Sequence, residues 1–343
     1  MKILVTGGYQ REYNRTAVLL YGLEQLGIEL VEYPYKKFTK SVKLELHELS
    51  LSCDIAFIPA FMYRNVAEVK KTVSIPVVFD PLISIYMTKV FDKKNVWQYS
   101  PRALKNYLKD YNAFKYSDLL FADTEGHKSY FSKTFKVADD KIHILPVGVK
   151  TEEFYPLAKT QNNIFKVGFY GGFLPLQGVG EIIEAANLLK DHDIEWDIIG
   201  DGYEFEMIKF KVTKLKLDRL NLLGLMPANQ LNYAINSFDI SLGIFGNTIK
   251  SDLVVPNKVF HYAACGQAII TKDSPAIREV FTDNENILLS YNSADDIANK
   301  VLLLKSDASQ LTKLGQNARI LMEKRYSATH IAQLFLDAIN TLL

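Results

Sequence analysis

The chain has 343 residues, 48% of them hydrophobic, which exceeds one ordinary core and suits two domains of similar size. Its 40 basic and 39 acidic residues are interspersed for a net charge of +1, so no global field favours nucleic acid as a partner. The two cysteines, Cys53 and Cys265, each sit inside an apolar segment; they exclude a disulfide framework and a zinc site and read as buried small hydrophobes in a reducing compartment.

The N-terminal MKILVTGG reads as a short strand running into glycines and then Arg11, Glu12 and Arg15, which is not a signal-peptide pattern. No apolar run reaches membrane-spanning length, so the expected location is cytoplasmic, with peripheral contact at the inner membrane face left open. Short apolar runs then alternate with helical periodicity almost throughout, the sign of parallel sheets with crossover helices. In the first half the pattern predicts strands at 2–6, 29–33, 53–58, 77–79, 119–122 and 143–145, and helices near 16–26, 65–71, 100–115 and 125–134. A further helix at 83–90, with Tyr86 and Met87, is either core or a lid. The run Tyr33, Tyr35, Lys36, Lys37 and Lys40 reads as a solvated loop or as a contact for anionic lipid.

Prolines, charges and the absence of any period make residues 151–163 the expected linker between a first domain over 1–150 and a second over 164–326. The second domain predicts strands at 166–170, 195–199, 221–223, 240–242, 268–271 and 287–289, with helices near 181–190, 203–215, 229–236, 257–264 and 294–304. Residues 310–343 predict two more helices, the last of which, 327–343, is expected to pack back on the first domain. Both halves open with a strand and a glycine pair, Gly7-Gly8 and Gly171-Gly172, which suggests two similar doubly wound domains.

Each glycine pair permits close backbone approach to a ligand at a strand's carboxyl end, or simply makes a tight turn; neither completes G-x-G-x-x-G. Gly200-Asp201-Gly202 is a second strand-end turn with the same two readings. The strongest local signal is DLVVPNKVFHYAACGQAIITKDSPAIRE. Val255 ends an extended approach, Pro256 supplies a ready first helical residue, and Asn257, Lys258 and His261 carry the helix toward Gly266. A lysine in a first turn opposes the helix dipole, at about 0.3–1 kcal/mol, unless an anion sits there; phosphate is the expected anion.

Taken in order, FKVGFYGGFLPLQGVGEIIEAANLL, WDIIGDG, NLLGLMPANQLNYAINSFDISLGIFG and VPNKVFHYAACGQAIITKDSPAIREVF resemble the C-terminal domain of group 1 (family 4) glycosyltransferases. The segment LLFADTEGHKSYFSKTFKVADDKIHILPVGVKTEEFYP is similar to that family's close of its N-terminal domain. The resemblance implies an α/β GT-B fold, two Rossmann-like domains facing each other across a cleft with C-terminal helices crossing back. It also implies retaining, metal-independent transfer of a hexose-type sugar from a nucleotide diphosphate sugar to a glycan or lipid-linked acceptor, with no separate cofactor. A helix N-terminus and basic side chains would stabilise the departing diphosphate.

On that resemblance Lys258, with Lys250 as a second cation, meets the diphosphate; Glu279 stands beside the donor sugar; and Asp80 occupies the place of a histidine that touches sugar or acceptor. Departures are evident. The family's two acidic residues fall on Leu253 and His261, and its basic pair after the first strand falls among Gly172, Phe173, Leu176 and Gln177. His261 is therefore either a hydrogen-bonding substitute for the ribose-binding acid or a helix histidine satisfied by backbone. Asp80 precedes Pro81 and is equally a turn former, Lys250 equally a solvated loop residue, and His127 a helix-surface residue. Loss of the acidic motif and the basic pair keeps a non-catalytic GT-B glycan- or partner-binding module as the alternative, with an epimerase or phosphorylase on the same fold behind it.

Overall fold

The computed structural model describes residues 1–158 and 164–343. They form two compact units, Met1–Gly148 with Ser327–Leu343, and Val149–Tyr326.

The first unit holds a six-stranded parallel sheet: β1 (Lys2–Gly7), β2 (Glu29–Pro34), β3 (Ile55–Ile58), β4 (Val77–Phe79), β5 (Leu119–Ala122) and β6 (Ile142–Ile144). Their order is β2-β1-β3-β4-β5-β6, the flavodoxin-like order with one strand added, whose switch point lies at the carboxyl ends of β1 and β3. The inner strands β3, β4 and β5 are buried along their whole length, because a parallel sheet is covered on both faces and its strands become continuous apolar runs. Edge strand β2 alternates between half-buried and exposed positions and ends on Pro34, which no central strand would accommodate.

The C-terminal helix Ala328–Ile339 belongs to this unit. It packs on the Asn14–Gln25 helix through Gly22, where a Cβ would lie 2.0 Å from the Ala328 carbonyl oxygen and 2.9 Å from the Ala332 methyl group. Its Phe335 meets Phe57 and Phe121 edge-on and tilted, with ring centroids 5.1 Å away in both cases.

The second unit's sheet contains β7 (Phe165–Tyr170), β8 (Ile194–Ile199), β9 (Leu220–Gly224), β10 (Ile240–Leu242), β11 (Ala268–Lys272) and β12 (Leu288–Ser290). Its order, β12-β11-β10-β7-β8-β9, is the 3-2-1-4-5-6 order of a nucleotide-binding doubly wound sheet, with its switch point between β7 and β10. Both outcomes agree with the expected α/β architecture.

Three local readings change. Residues 40–50, next to the expected aromatic and basic loop, form the helix Lys40–Ser50, capped by Thr39; Tyr35 is buried and the Tyr33 hydroxyl bonds Glu45 at 2.6 Å. Lys250 lies in a helix, Ile249–Leu253, held by a Thr248/Ser251 capping box rather than in a loop. The early part of the expected linker packs onto the second unit, the Tyr155 and Leu157 amides donating to Asn232 and Asn236 side chains at 3.1 and 2.8 Å. The rest of that linker, 159–163, lies outside the described residues.

Candidate functional site

The carboxyl ends of β7, β8 and β10 converge on a set of glycine turns in the second unit. Gly171, at the end of β7, and Gly200, at the end of β8, have φ of +156° and +138°. Their backbones touch: the Gly171 amide donates to the Ile199 carbonyl at 2.9 Å, and a Cβ at Gly200 would fall 1.9 Å from the Gly171 oxygen. The Phe173 amide donates to the Asp201 carbonyl at 2.9 Å, and at Gly202 (φ +154°) a Cβ would come within 2.7 Å of the Phe173 amide nitrogen. Only glycine permits this approach, so the two turns form one unit of exposed backbone. Gly172, Asp201 and Gly202 are its solvent-exposed positions.

The loop that follows closes over the end of β10. Gln177 and Leu176 accept from the Phe245 and Gly246 amides at 2.9 and 3.1 Å, which fixes the loop against the chain leaving β10.

Helix Asn257–Ala264 starts beside these turns. Val254 and Pro256 are extended, Pro256 precedes the first turn, and no side chain caps the helix. Its start therefore presents uncapped dipole and first-turn amides. Lys258 is folded inward and only 3% exposed. Its Nζ donates to Gln177 Oε1 at 2.5 Å and lies 3.5 Å from the centroid of the Phe169 ring; a Cβ on Gly171 would sit 2.5 Å from the same nitrogen. Among the described residues no carboxylate meets it. Burial pushes its pKa well below the usual lysine value, since the ammonium gives up water for an amide oxygen and an aromatic face.

His261 is turned into packing. Its ring stacks on Phe154, centroids 3.8 Å apart and 13° from parallel, and its Nδ1 meets the Tyr170 hydroxyl. Burial first, and then the Lys150 charge, lower its pKa to about 3, so it is neutral at physiological pH. Burial holds the Tyr170 phenol protonated, which makes the phenol the donor and Nδ1 the acceptor.

One cation was not singled out by the sequence. Lys272, the last residue of β11, is 8% exposed and donates to the Gly246 carbonyl at 3.1 Å and to Ser251 Oγ at 3.2 Å, with Asp252 at 2.7 Å. The available signal was its place at a strand's carboxyl end, one residue beyond the predicted strand. Lys250 is half-buried on the same short helix as Ser251 and Asp252. Glu279 is exposed on the helix Pro275–Val280; after burial and Arg325, its charge is a further influence on Tyr326, raising the phenol. Asn257 is half-buried at the helix start.

Asp80, Gly7 and Gly8 stand in the first unit. Asp80 is 1% exposed; its Oδ2 accepts from Arg15 Nε at 2.6 Å and its Oδ1 from the Leu82 amide at 3.1 Å. Arg15, equally buried, also donates to the Leu145 carbonyl at 2.6 Å. This ion pair ties together the Asn14–Gln25 helix, the end of β4 and the chain after β6. Gly7 has φ +116° and lies against Met62, and the Gly8 amide donates to Asn65 Oδ1 at 3.4 Å. His127 is fully buried against Asp123 rather than on a helix surface.

Other proteins resemble the chain in sequence and in fold. Residues 180–337 match the family described as glycosyl transferase-like. An uncharacterised glycosyltransferase of Methanocaldococcus jannaschii is 27% identical over 234 residues, covering 64% of this chain and 60% of that protein. The probable glycosyltransferase WbjE of Pseudomonas aeruginosa is 25% identical over 183 residues, covering 51% of this chain and 44% of that protein. The chain thus spans between two fifths and two thirds of the length of these relatives. Among solved structures, sucrose-phosphate synthase of Thermosynechococcus elongatus superposes with TM-score 0.78 at 12% identity, over 100% of this chain and 99% of that one. HepE of Anabaena, solved with UDP, superposes with TM-score 0.74 at 13% identity, over 99% and 100% of the two chains. Over residues 180–337 the sequence thus matches the glycosyl transferase-like family, and the chain has the two-domain α/β GT-B fold of these solved structures.

Proposed function

We propose that the protein transfers a glycosyl group, of hexose type, from a nucleoside diphosphate sugar to a hydroxyl of a glycan or lipid-linked acceptor. The donor's anomeric carbon–oxygen bond to the diphosphate breaks, a new bond forms to the acceptor oxygen, and the hydroxyl proton is released. The nucleoside diphosphate leaves carrying the charge that must be stabilised.

One observation carries this reading: Lys258 is a buried cation with no carboxylate partner among the described residues, set at an uncapped helix start beside the Gly171 turn. An internal ammonium held by one amide oxygen is poorly compensated, and an arriving phosphate supplies the missing charge. The amides of Asn257 and Lys258, the Lys258 ammonium and the open backbone of Gly171 and Gly172 form the proposed diphosphate cradle, preorganised for charge that develops at the leaving group. Lys272 and Lys250 stand as outer cations, Gly200, Asp201 and Gly202 as the wall for the nucleoside, and Glu279 as the acid at the donor sugar. Asp80 acts through Arg15, positioning the first unit's acceptor side. With this cationic set the reaction is proposed to run without a divalent metal, in the cytoplasm and in peripheral contact with a membrane. HepE was also crystallised with UDP-glucose, which favours a uridine nucleotide as the first donor to try.

The test is nucleotide binding and sugar release with Lys258→Met, which keeps the aliphatic stem on Phe169. Loss of a charge-assisted contact predicts UDP affinity lower by about ten- to a hundredfold, with turnover falling in parallel and chelator leaving the parent rate unchanged. Equal UDP affinity in parent and variant, or no donor turnover with any sugar nucleotide, would contradict the assignment.

A further inference from the structure

A surface of the first unit outside the candidate site surrounds helix Pro101–Tyr116 and the turn before it. Trp97 is 72% exposed and Tyr99 76%, and their rings meet edge-on at 5.6 Å. Neither is a frayed loop residue. Val96, just before them, is buried with Val90 and Ala103, and the Trp97 carbonyl accepts from both the Ser100 amide at 3.0 Å and the Ser100 hydroxyl at 2.6 Å. Ser100 in turn caps the helix. The aromatic pair is therefore fixed to the helix start and held outward.

The helix continues the surface with two adjoining stripes. Ala103, Asn106, Asp110 and Ala113 face the core. Leu104 and Leu108, one turn apart and 58% and 44% exposed, form an apolar stripe on the open side. Arg102, Lys105 and Lys109, spaced three and four apart, form a basic stripe beside it. From 88 to 110 the chain carries six basic residues and only two acids, Asp92 and Asp110, in a protein whose total charge is +1. Both of those acids are buried. Burial first, then the charges of Arg64, Lys105 and Lys89, lower the Lys109 ammonium's pKa, so these cations gather within electrostatic range of one another.

We propose that this face, with Trp97, Tyr99, Leu104 and Leu108 entering the headgroup region and Arg102, Lys105 and Lys109 on the lipid phosphates, docks the protein on the anionic surface of a bilayer. Amphipathic aromatic rings sit well at the headgroup level, aliphatic side chains reach the acyl boundary, and long basic side chains extend to the phosphates. The charge complementarity selects this occupant. A second copy of the chain would bring like charges together, and a nucleic acid would use the rings and cations yet leave Leu104 and Leu108 without a partner. The surface rests on the peripheral contact proposed above and not on the donor chemistry, so vesicle binding and nucleotide binding are read independently. It also replaces the Tyr33–Lys40 run considered from the sequence, whose tyrosines are engaged by Glu45 and the core.

The chain has two tryptophans, and Trp196 is only 2% exposed, so fluorescence changes on docking report Trp97. The full chain is mixed with vesicles of phosphatidylcholine alone and with one-third phosphatidylglycerol, and scored by co-sedimentation and emission. The expected result is binding and a blue shift with the anionic vesicles only, reversed as salt rises toward about 1 M. Each basic residue near such a surface is worth about fivefold, so Lys105→Glu with Lys109→Glu should weaken vesicle affinity by more than about tenfold. Trp97→Ala should weaken it while leaving thermal stability and UDP binding unchanged, since the ring is exposed. No anionic-vesicle binding, binding without a Trp97 shift, or a dimer or RNA complex that Trp97→Ala dissolves would overturn the proposal.

Discussion

Lys258 and His261 lie one helical turn apart, and burial pushes both toward their neutral forms for different ends. His261 is satisfied by the Tyr170 phenol and sandwiched by Phe154, so its neutral state is part of the packing. Among the described residues Lys258 has only Gln177 and the Phe169 ring, and its lowered pKa marks a deficit that a diphosphate would remove. A diphosphate favours the ammonium, so the complex holds the Lys258 proton more tightly than the unliganded protein does. Binding should therefore take up protons, and affinity should fall as pH rises toward the usual lysine range. Titration calorimetry of UDP in buffers of different ionisation enthalpy measures the uptake; Lys258→Met should abolish it, and equal proton counts for parent and variant would remove Lys258 from the site. The sequence pointed to Lys258 because a first-turn lysine opposes the helix dipole. Its inward rotamer and its place under Gly171 follow from the Phe169 and Gln177 side chains, which lie about 80 to 90 positions away.

At the level of elements, glycine positions separate turns that merely reverse the chain from turns that let two elements meet. Gly27 and Gly224 have positive φ and open space around them. Gly22 is helical and has no room at all, since the Asn14–Gln25 helix and the C-terminal Ala328–Ile339 helix pass at that point backbone to backbone. Gly22→Ala should force the two helices apart and destabilise the first unit by about 1–3 kcal/mol. Urea denaturation followed by hydrogen exchange in 328–339 measures this; an alanine variant as stable as the parent would show that the helices do not pack there. The strand periods were legible: 77–79, 119–122 and 240–242 coincide with β4, β5 and β10, because buried parallel strands are uninterrupted apolar runs. The Lys40–Ser50 helix was not legible, since seven of its eleven residues are charged or polar and only Leu46 and Ser50 are buried.

The two units carry buried titratable groups of opposite sign, and this makes the whole molecule's pH response a composite. In the second unit the His261 pKa is lowered to about 3, so below the ordinary 6.5 the unfolded state binds a proton that the native state refuses. Stability of that unit should rise with pH from about 3 to 6.5, with a loss on the order of 2 kcal/mol between pH 7 and pH 5. In the first unit burial raises the Asp110 pKa to about 7 against the ordinary 3.8, despite hydrogen bonds from Ser84, Tyr86 and Ile85. There the native state keeps a proton that the unfolded state releases, so stability is fullest at low pH and falls as pH rises from about 4 to 7, by a similar order. Hydrogen exchange corrected for intrinsic rates, in β3 and β4 against β10 and β11, should show opposite trends between pH 5 and 7. Asp110→Asn and His261→Gln should each flatten one trend, and parallel behaviour of the two units would refute the linkage.

The sequence by itself determined the alternation of strands and helices, the repeated strand-glycine opening of each half, and the helix start at Val255, Pro256 and Asn257, because periodicity, proline and glycine act within a few residues of where they stand. Tertiary structure decided the strand orders and the partners of the charged groups. It placed Asp80 in an ion pair with Arg15, His261 in an aromatic stack, and Lys272 at the end of β11 against Asp252. Each of these depends on which segments a doubly wound sheet brings to its carboxyl edge, and the Asp80–Arg15 pair joins residues 65 positions apart. Burial sets the cost of a charge and the partner sets its compensation, and neither quantity exists until the sheet has formed.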